Sequence, residues 1–229
     1  MWERLVDEVP RFFTYYNAVF LLEALGVTFA LSAAGCVVGA LLGFLAAVCR
    51  RTSSPALLPL RAFVIVYVEL FRRIPFLVTL MLVFFAFQAA KLNASIFFIA
   101  LVTVCIIAAA FIAEIVRSGF EAVHRNQWDA AAAMNFSLMQ TLISVIVPQA
   151  WKIVLPPVFG FFILFIKDTA LASQIGVVEL TYAGKVLNNK GFSAALVFGA
   201  VLVLYFLLSY PLARFGTWME HRLVATRNR

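Results

Sequence analysis

Few charged side chains interrupt the apolar stretches of this 229-residue sequence. The most conspicuous are Lys167 and Asp168, which are followed by the polar Thr169. Charges inside a membrane-spanning helix are energetically costly and mark candidate functional sites. Adjacent helical residues do not face one another, so Lys167 and Asp168 need different partners. In one interpretation these residues bind a zwitterion, with one charge meeting a carboxylate and the other an amino group. In the other they form a buried ion pair between subunits that holds a pore together.

A second pair of candidate translocation residues is Glu114 and Arg72. Charged residues in spans usually pair, and an ion pair of Glu114 with Arg72 or Arg117 is the favoured interpretation. Arg72 lies at the inner membrane boundary if a span begins at Pro75. It lies mid-membrane if one helix runs over 57–88, and the residues alone leave both possibilities open.

Small residues mark two further faces. Gly35, Gly39 and Gly43 form two GxxxG steps, a spacing that puts the glycines on one helix face and lets another backbone approach closely. Asp129 is followed by four alanines, starting with Ala130 and Ala131. An acid at a helix start complements the helix dipole, and a small smooth face fits a groove on another protein. An interfacial helix that merely links two spans explains the alanine segment equally well.

The composition defines the elements that must position these residues. Hydrophobic residues make up 64% of the sequence and charged residues 13%, whereas a soluble domain has roughly 25% charged residues. The mean hydropathy is +1.00. These values exclude a soluble enzyme, a disordered chain and a nucleic-acid-binding domain. Two histidines, and three cysteines without metal or redox spacing, argue against a metal site. We predict an all-α integral membrane protein.

A bilayer span needs ~20 mostly apolar residues, and we predict one transmembrane domain over 1–229 with five spans. They cover about 18–48, 75–90, 95–116, 157–178 and 192–212. A polar, helical loop over 117–149 joins spans three and four, and 181–191 is predicted to be a polar loop. A start of span four at 157 puts Lys167 about 15 Å along that helix, near the middle of the ~30 Å hydrocarbon core.

The distribution of basic residues predicts the orientation. With the N-terminus outside and the C-terminus inside, 12 of the 18 lysines and arginines lie in cytoplasmic segments. This bias agrees with the positive-inside rule. It places the 117–149 loop and the C-terminal tail in the cytoplasm.

The segment that begins at Asp129 resembles the "EAA" loop of ABC-transporter permeases. The matching residues are Asp129, Ala130, Ala131 and Pro148. Asp129 stands where the family has Glu, and Asn135 stands where it has Gly. Asn tolerates the left-handed backbone conformation better than most residues, so we expect Asn135 to turn the chain.

Three other segments resemble polar amino-acid permeases of the histidine, glutamine and arginine type. Residues 69–77 read Glu-Leu-Phe-Arg-Arg-Ile-Pro-Phe-Leu, 111–119 read Phe-Ile-Ala-Glu-Ile-Val-Arg-Ser-Gly, and 167–173 read Lys-Asp-Thr-Ala-Leu-Ala-Ser. The similarities occur in family order over about 69–187. The resemblance implies a type I ABC importer permease fold in the bacterial cytoplasmic (inner) membrane.

The resemblance also implies partners. The Asp129 helix is the coupling helix between helices 3 and 4, seated in a cleft of a cytoplasmic ABC ATPase dimer that binds ATP and Mg. No Gly-x4-Gly-Lys-[Ser/Thr] phosphate loop occurs in this sequence, so we expect this chain not to bind ATP itself. We also expect no cofactor, no metal and no catalytic residue in it. A periplasmic or extracellular binding protein delivers the amino acid. A second permease subunit completes the pore, and a paralogue is favoured over an identical copy.

The rival hypothesis is an ion-driven secondary transporter or channel subunit without an ATPase. Five spans without a detectable repeat argue against the usual repeat-built carriers. No acidic series that could form a cation filter is present.

Overall fold

The computed structural model describes residues 2–52 and 54–225, and side chains within 7–52 and 54–223. Every regular element in this part of the chain is helical. The α-helices are α1 (Trp2–Phe12), α2 (Tyr15–Arg51), α3 (Leu58–Phe71), α4 (Phe76–Ala89), α5 (Ile96–Glu121), α6 (Arg125–Ala133), α7 (Leu138–Thr141), α8 (Val147–Asp168), α9 (Leu180–Asn189) and α10 (Ala194–Ala225). A π-helical turn (Leu142–Ile146) and two 3₁₀ segments (Pro55–Leu57, Thr169–Ile175) lie between them.

The described residues contain four helical stretches that are long and apolar enough to cross a membrane. They are Tyr15–Arg51, Ile96–Glu121, Leu138–Ile175 and Ala194–Leu223. The number becomes five when Pro55–Phe71 and Phe76–Ala89 count as one interrupted span. The prediction of an all-helical fold is therefore confirmed, with four or five helices that have the length and composition of membrane spans.

The limits of the long helices have local causes. Arg50 and Arg51 occupy the last turn of α2, where positive charge complements the carboxyl end of the helix dipole. Pro75 precedes α4, and the residue before a proline is disfavoured in the helical conformation, so the helix breaks between Phe71 and Phe76. α8 begins at Val147, whereas the expected span begins at 157. Because α8 ends at Asp168, Lys167 lies in the last turn of α8 rather than near its middle.

The chain folds into two compact units that are not consecutive in sequence. Unit 1 comprises residues 1–34, 76–104 and 163–213, and unit 2 comprises 35–75, 105–162 and 214–229. Helices α2, α5, α8 and α10 each contribute residues to both units. The single transmembrane domain expected over 1–229 stays a prediction.

Unit 1 has its core where α1, the start of α2, α9 and α10 meet. The buried residues are Phe12, Leu21, Ala24, Leu180, Ala183, Leu187, Val197 and Val201. The segment 181–191, expected to be a polar loop, instead forms most of α9. Its apolar residues recur at helical spacing and face this core, which stabilises the helix despite its polar neighbours.

In unit 2, α2 packs on α5 through the glycine face. Gly35, Gly39 and Gly43 are all buried. A Cβ atom at Gly39 would overlap the Cβ of Ala108, and one at Gly43 would lie 2.8 Å from the carbonyl oxygen of Ala109. Residues larger than glycine would therefore force the two backbones apart.

Candidate functional site

The short helix α6 has one exposed and one inward face. Asn126, Asp129, Ala130 and Ala133, spaced three or four residues apart, are exposed and form what we call the exposed face of α6. Ala131 was expected to take part in docking, but its side chain is only 1% exposed. The structure corrects that expectation, because Ala131 packs inside its own chain.

Both ends of α6 are defined by specific backbone contacts. His124 caps the start, with its Nδ1 atom accepting from the Asn126 N–H at 3.3 Å. Asn135 adopts a φ of +59°, the left-handed conformation that Asn tolerates. This turn lets the Phe136 N–H donate to the Ala131 carbonyl at 3.1 Å, which satisfies an end carbonyl of the helix.

Pro148 lies at the start of α8, directly after the π-helical turn. Pro148 has no N–H to donate, and its ring disfavours the regular α-helical hydrogen bonds between residues four apart at this point. The Val147 N–H donates instead to Leu142 O, five residues earlier, the pattern of a π-turn. α6 packs against this turn, whose Leu142 and Ile146 are buried. Pro148 thereby shapes the surface on which α6 rests.

Besides the packing of Ala131, a cation–π contact and a hydrogen bond connect α6 to its neighbours within the described part of the chain. The Arg51 guanidinium lies 4.3 Å from the centre of the Trp128 ring, a cation–π geometry. The Gln149 amide nitrogen donates to Gln127 Oε1 at 3.1 Å. Neither contact was predicted from the sequence, because the partners belong to different helices.

Glu114 lies at the centre of an arginine cluster. Its carboxylate pairs with Arg117 at 2.5 Å, Arg50 at 3.0 Å and Arg72 at 3.5 Å. Sequence reasoning named Arg72 and Arg117 as partners but missed Arg50. A cavity of about 310 Å³ adjoins Arg72 and Glu114, and Arg72 Nε is buried without a hydrogen-bond partner among the described residues.

Lys167, Asp168 and Thr169 have different surroundings. Thr169 is fully buried, and its hydroxyl bonds with the Ser32 hydroxyl at 3.1 Å and donates to Ile166 O at 2.8 Å. This side chain therefore joins the 3₁₀ segment after α8 to α2. Lys167 and Asp168 are exposed, and within the described part of the chain neither forms a hydrogen bond or ion pair.

Lys167 also borders a cavity of about 360 Å³ in unit 1. Tyr205 and Ser209 contribute to its wall. The Ser209 hydroxyl is buried and finds no partner among the residues described. A cation and a free hydroxyl at one cavity can together receive an anionic oxygen.

Sequence reasoning missed a buried carboxylate at the start of α9. Glu179 is fully buried and accepts from the N–H groups of Thr181 and Tyr182 at 2.9 and 2.7 Å and from the Tyr205 hydroxyl at 2.9 Å. Burial raises the pKa of Glu179, and these hydrogen bonds oppose the rise. The sequence signal is an acid directly before an amphipathic helix, the position of an N-cap.

The chain has several apolar helices long enough to cross a membrane, and an exposed short helix lies between two of them. Two charges at a helix end have no partner among the described residues. These are features of a membrane translocation subunit. A family model described as the binding-protein-dependent transport system inner membrane component matches residues 39–224. The chain belongs to this family. It is the permease subunit of an ABC importer, a multi-pass inner membrane protein, and not an ion-driven carrier or channel subunit.

The similar proteins agree with this assignment. The glutamine transport system permease protein of Escherichia coli K12 is 32% identical over 224 residues, covering 97% of each chain. The L-cystine transport system permease protein of Bacillus subtilis is 31% identical over 188 residues, covering 82% of this chain and 79% of that protein. Membership in the family implies an ATPase, a substrate-binding protein and a second permease as partners.

Solved structures share the fold. An amino acid ABC transporter crystallised with histidines superposes with a TM-score of 0.83 at 24% identity, covering 95% of this chain and 98% of that one. The inward-facing MetNI methionine ABC transporter gives a TM-score of 0.70 at 26% identity, covering 90% and 95%. The expected importer permease fold is thus confirmed at the level of helix arrangement.

Proposed function

We propose that this chain imports polar amino acids or related small zwitterions. The observation that carries the proposal is the pair Lys167 and Asp168, oppositely charged, exposed and without partners among the described residues. Lys167 with the free Ser209 hydroxyl would receive the substrate carboxylate, and Asp168 its ammonium group. The names of the related glutamine and cystine permeases support this substrate class.

The energy comes from a cytoplasmic ATPase dimer that docks on the exposed face of α6. Asp129 and Ala130 are the central contacts, because they are exposed on the side of α6 opposite Ala131. ATP and Mg are bound by the ATPase. Closure of the ATPase dimer moves α6 as a rigid body, and the spans switch between outward-open and inward-open arrangements.

The proposed topology has the N-terminus outside and the C-terminus in the cytoplasm of a bacterial cell. It is supported by the 12 of 18 basic residues that this orientation places inside. A periplasmic or extracellular binding protein delivers the substrate at the opposite side. The second permease is a paralogue, so the pore is a heterodimer.

The test is uptake by the reconstituted complex of both permeases, the ATPase and the binding protein. The panel is glutamine, histidine, arginine, cystine and methionine, each with and without ATP in the vesicles. We expect ATP-dependent uptake of at least one polar amino acid and none without ATP. Uptake of methionine alone would contradict the polar substrate class, and failure of the ATPase to co-purify would contradict docking on α6.

A further inference from the structure

Arg50 and Arg51 in the last turn of α2, and Thr52 directly after it, contact three different helices. Because a helix turns about 100° per residue, the Arg50 and Arg51 side chains point in different directions and reach different partners. The contacts are Arg50 with Glu114 of α5 at 3.0 Å, Arg51 with Trp128 of α6 at 4.3 Å, and the Thr52 carbonyl with Arg61 of α3 at 3.3 Å. The end of α2 therefore connects α6 to two other helices of unit 2.

The contact to α6 lies on the side away from the exposed face. Trp128 is half-buried and precedes the exposed Asp129 by one residue. A docked partner on the exposed face of α6 leaves the indole in contact with Arg51. The guanidinium plane and the indole ring are both rigid, so their contact restricts relative movement more than a contact between flexible chains.

The other side-chain contact of α6 is weaker. Gln127 and Gln149 are both exposed and neutral, and a hydrogen bond of this kind adds little to stability because water competes for both groups. Arg51 is half-buried, and a cation–π contact becomes stronger as the cation loses water.

Building on the proposed function, we propose that Trp128 and Arg51 form the positioning contact that transmits movement of α6 to the end of α2. Through Arg50 and Arg61 the movement reaches α5 and α3. Trp128 is a positioning residue and not part of the ATPase docking surface. Without this contact the ATPase still docks and hydrolyses ATP, but fewer hydrolysis events move the membrane helices.

The experiment uses the full reconstituted complex and the panel amino acid that the wild type takes up fastest. The variants are Trp128→Leu, Arg51→Gln and the double variant. Each single variant is expected to lower substrate uptake per ATP hydrolysed about fivefold, the factor that corresponds to ~1 kcal/mol. The double variant should be no worse than either single, because all three lose the same contact.

Two controls separate positioning from folding. Arg51→Lys keeps a cation over the ring and should retain most of the wild-type ratio. Arg73→Gln removes an equal charge from an arginine paired with Glu69 and should leave the ratio unchanged. The ATPase should co-purify with every variant at the wild-type level.

The inference would be overturned by a loss of about 25-fold in the double variant, the product of the two single-variant effects. It would also be overturned if Trp128→Leu and Arg51→Gln kept the wild-type ratio of uptake to ATP hydrolysed. Loss of the ATPase from Trp128→Leu or Arg51→Gln would also overturn it, because Trp128 would then belong to the docking surface. Failure of the wild-type chain itself to bind the ATPase would overturn the proposed function as well.

Discussion

Glu114 receives three arginine side chains, and replacing it with glutamine leaves those guanidinium groups close together without their shared counter-charge. The Arg50 and Glu114 side chains are 13% and 17% exposed. Removing one partner of a buried ion pair costs ~3–5 kcal/mol. Arg72 and Arg117 are 32% and 26% exposed and regain some hydration, so we expect Glu114→Gln to lower the free energy of unfolding by about 2–4 kcal/mol.

The matched control is Glu69→Gln. The pair that it removes, between Glu69 and Arg73, is 41% and 78% exposed, and an exposed ion pair contributes only ~0.2–1 kcal/mol. For a chain of this size, 1 kcal/mol shifts the melting temperature by about 2–4 °C. The expected fall is therefore roughly 4–16 °C for Glu114→Gln and at most about 4 °C for Glu69→Gln.

Thermal unfolding of the purified complexes in one detergent, followed by fluorescence, measures both shifts. A double variant with Glu114→Gln and Arg50→Gln should recover part of the loss, because it removes one of the repelling charges. Equal shifts for Glu114→Gln and Glu69→Gln would refute the argument that the partly buried Glu114 cluster contributes more to stability than an exposed ion pair. Further loss in the double variant would refute the repulsion argument.

Three further predictions concern the transport path, the docking helix and the helix packing. Asp168→Asn and Lys167→Met should each lower uptake in the reconstituted complex by about tenfold or more, because each loses one charge-assisted hydrogen bond to the substrate. Size-exclusion chromatography should show unchanged assembly of the complex. Ala130→Arg should abolish ATPase co-purification while the melting temperature of the permease stays within about 2 °C, since surface substitutions change stability little. Gly39→Ala should lower the melting temperature by several degrees, because overpacking costs ~1–3 kcal/mol, whereas Gly26→Ala, with nothing near its added methyl group, should not lower it.

The sequence predicted those features that depend on residues near one another in the chain. The alanine helix, its turn at Asn135 and the apolar spans follow from local periodicity and local conformational preference. The glycine spacing likewise predicts a face for close packing, although it does not identify α5 as the helix that packs there.

Features that depend on distant residues could not be predicted in this way. Arg50 and Glu114 are 64 positions apart, and nothing in the local pattern of either residue indicates the other. The four alanines after Asp129 are chemically alike, so the sequence does not show which of them is buried. The orientation of α6 relative to α2 and the π-helical turn buries Ala131. The segment after Glu179 was misassigned because its polar residues outweighed the apolar residues at helical spacing.

The two groups of charged residues in the spans differ in where their counter-charges lie. Glu114 meets its arginines within the chain, so its charge is already compensated when the subunit folds. Lys167 and Asp168 have no such partners in the described part of the chain, and an unpaired charge in a span is costly. We therefore propose that their counter-charges come from the substrate or from the second permease. If the substrate supplies the counter-charges, they leave with the substrate in each transport cycle and are not needed for assembly. Asp168→Asn should then impair uptake and spare assembly. If the second permease supplies them instead, Asp168→Asn should impair assembly, and uptake would be lost together with the complex.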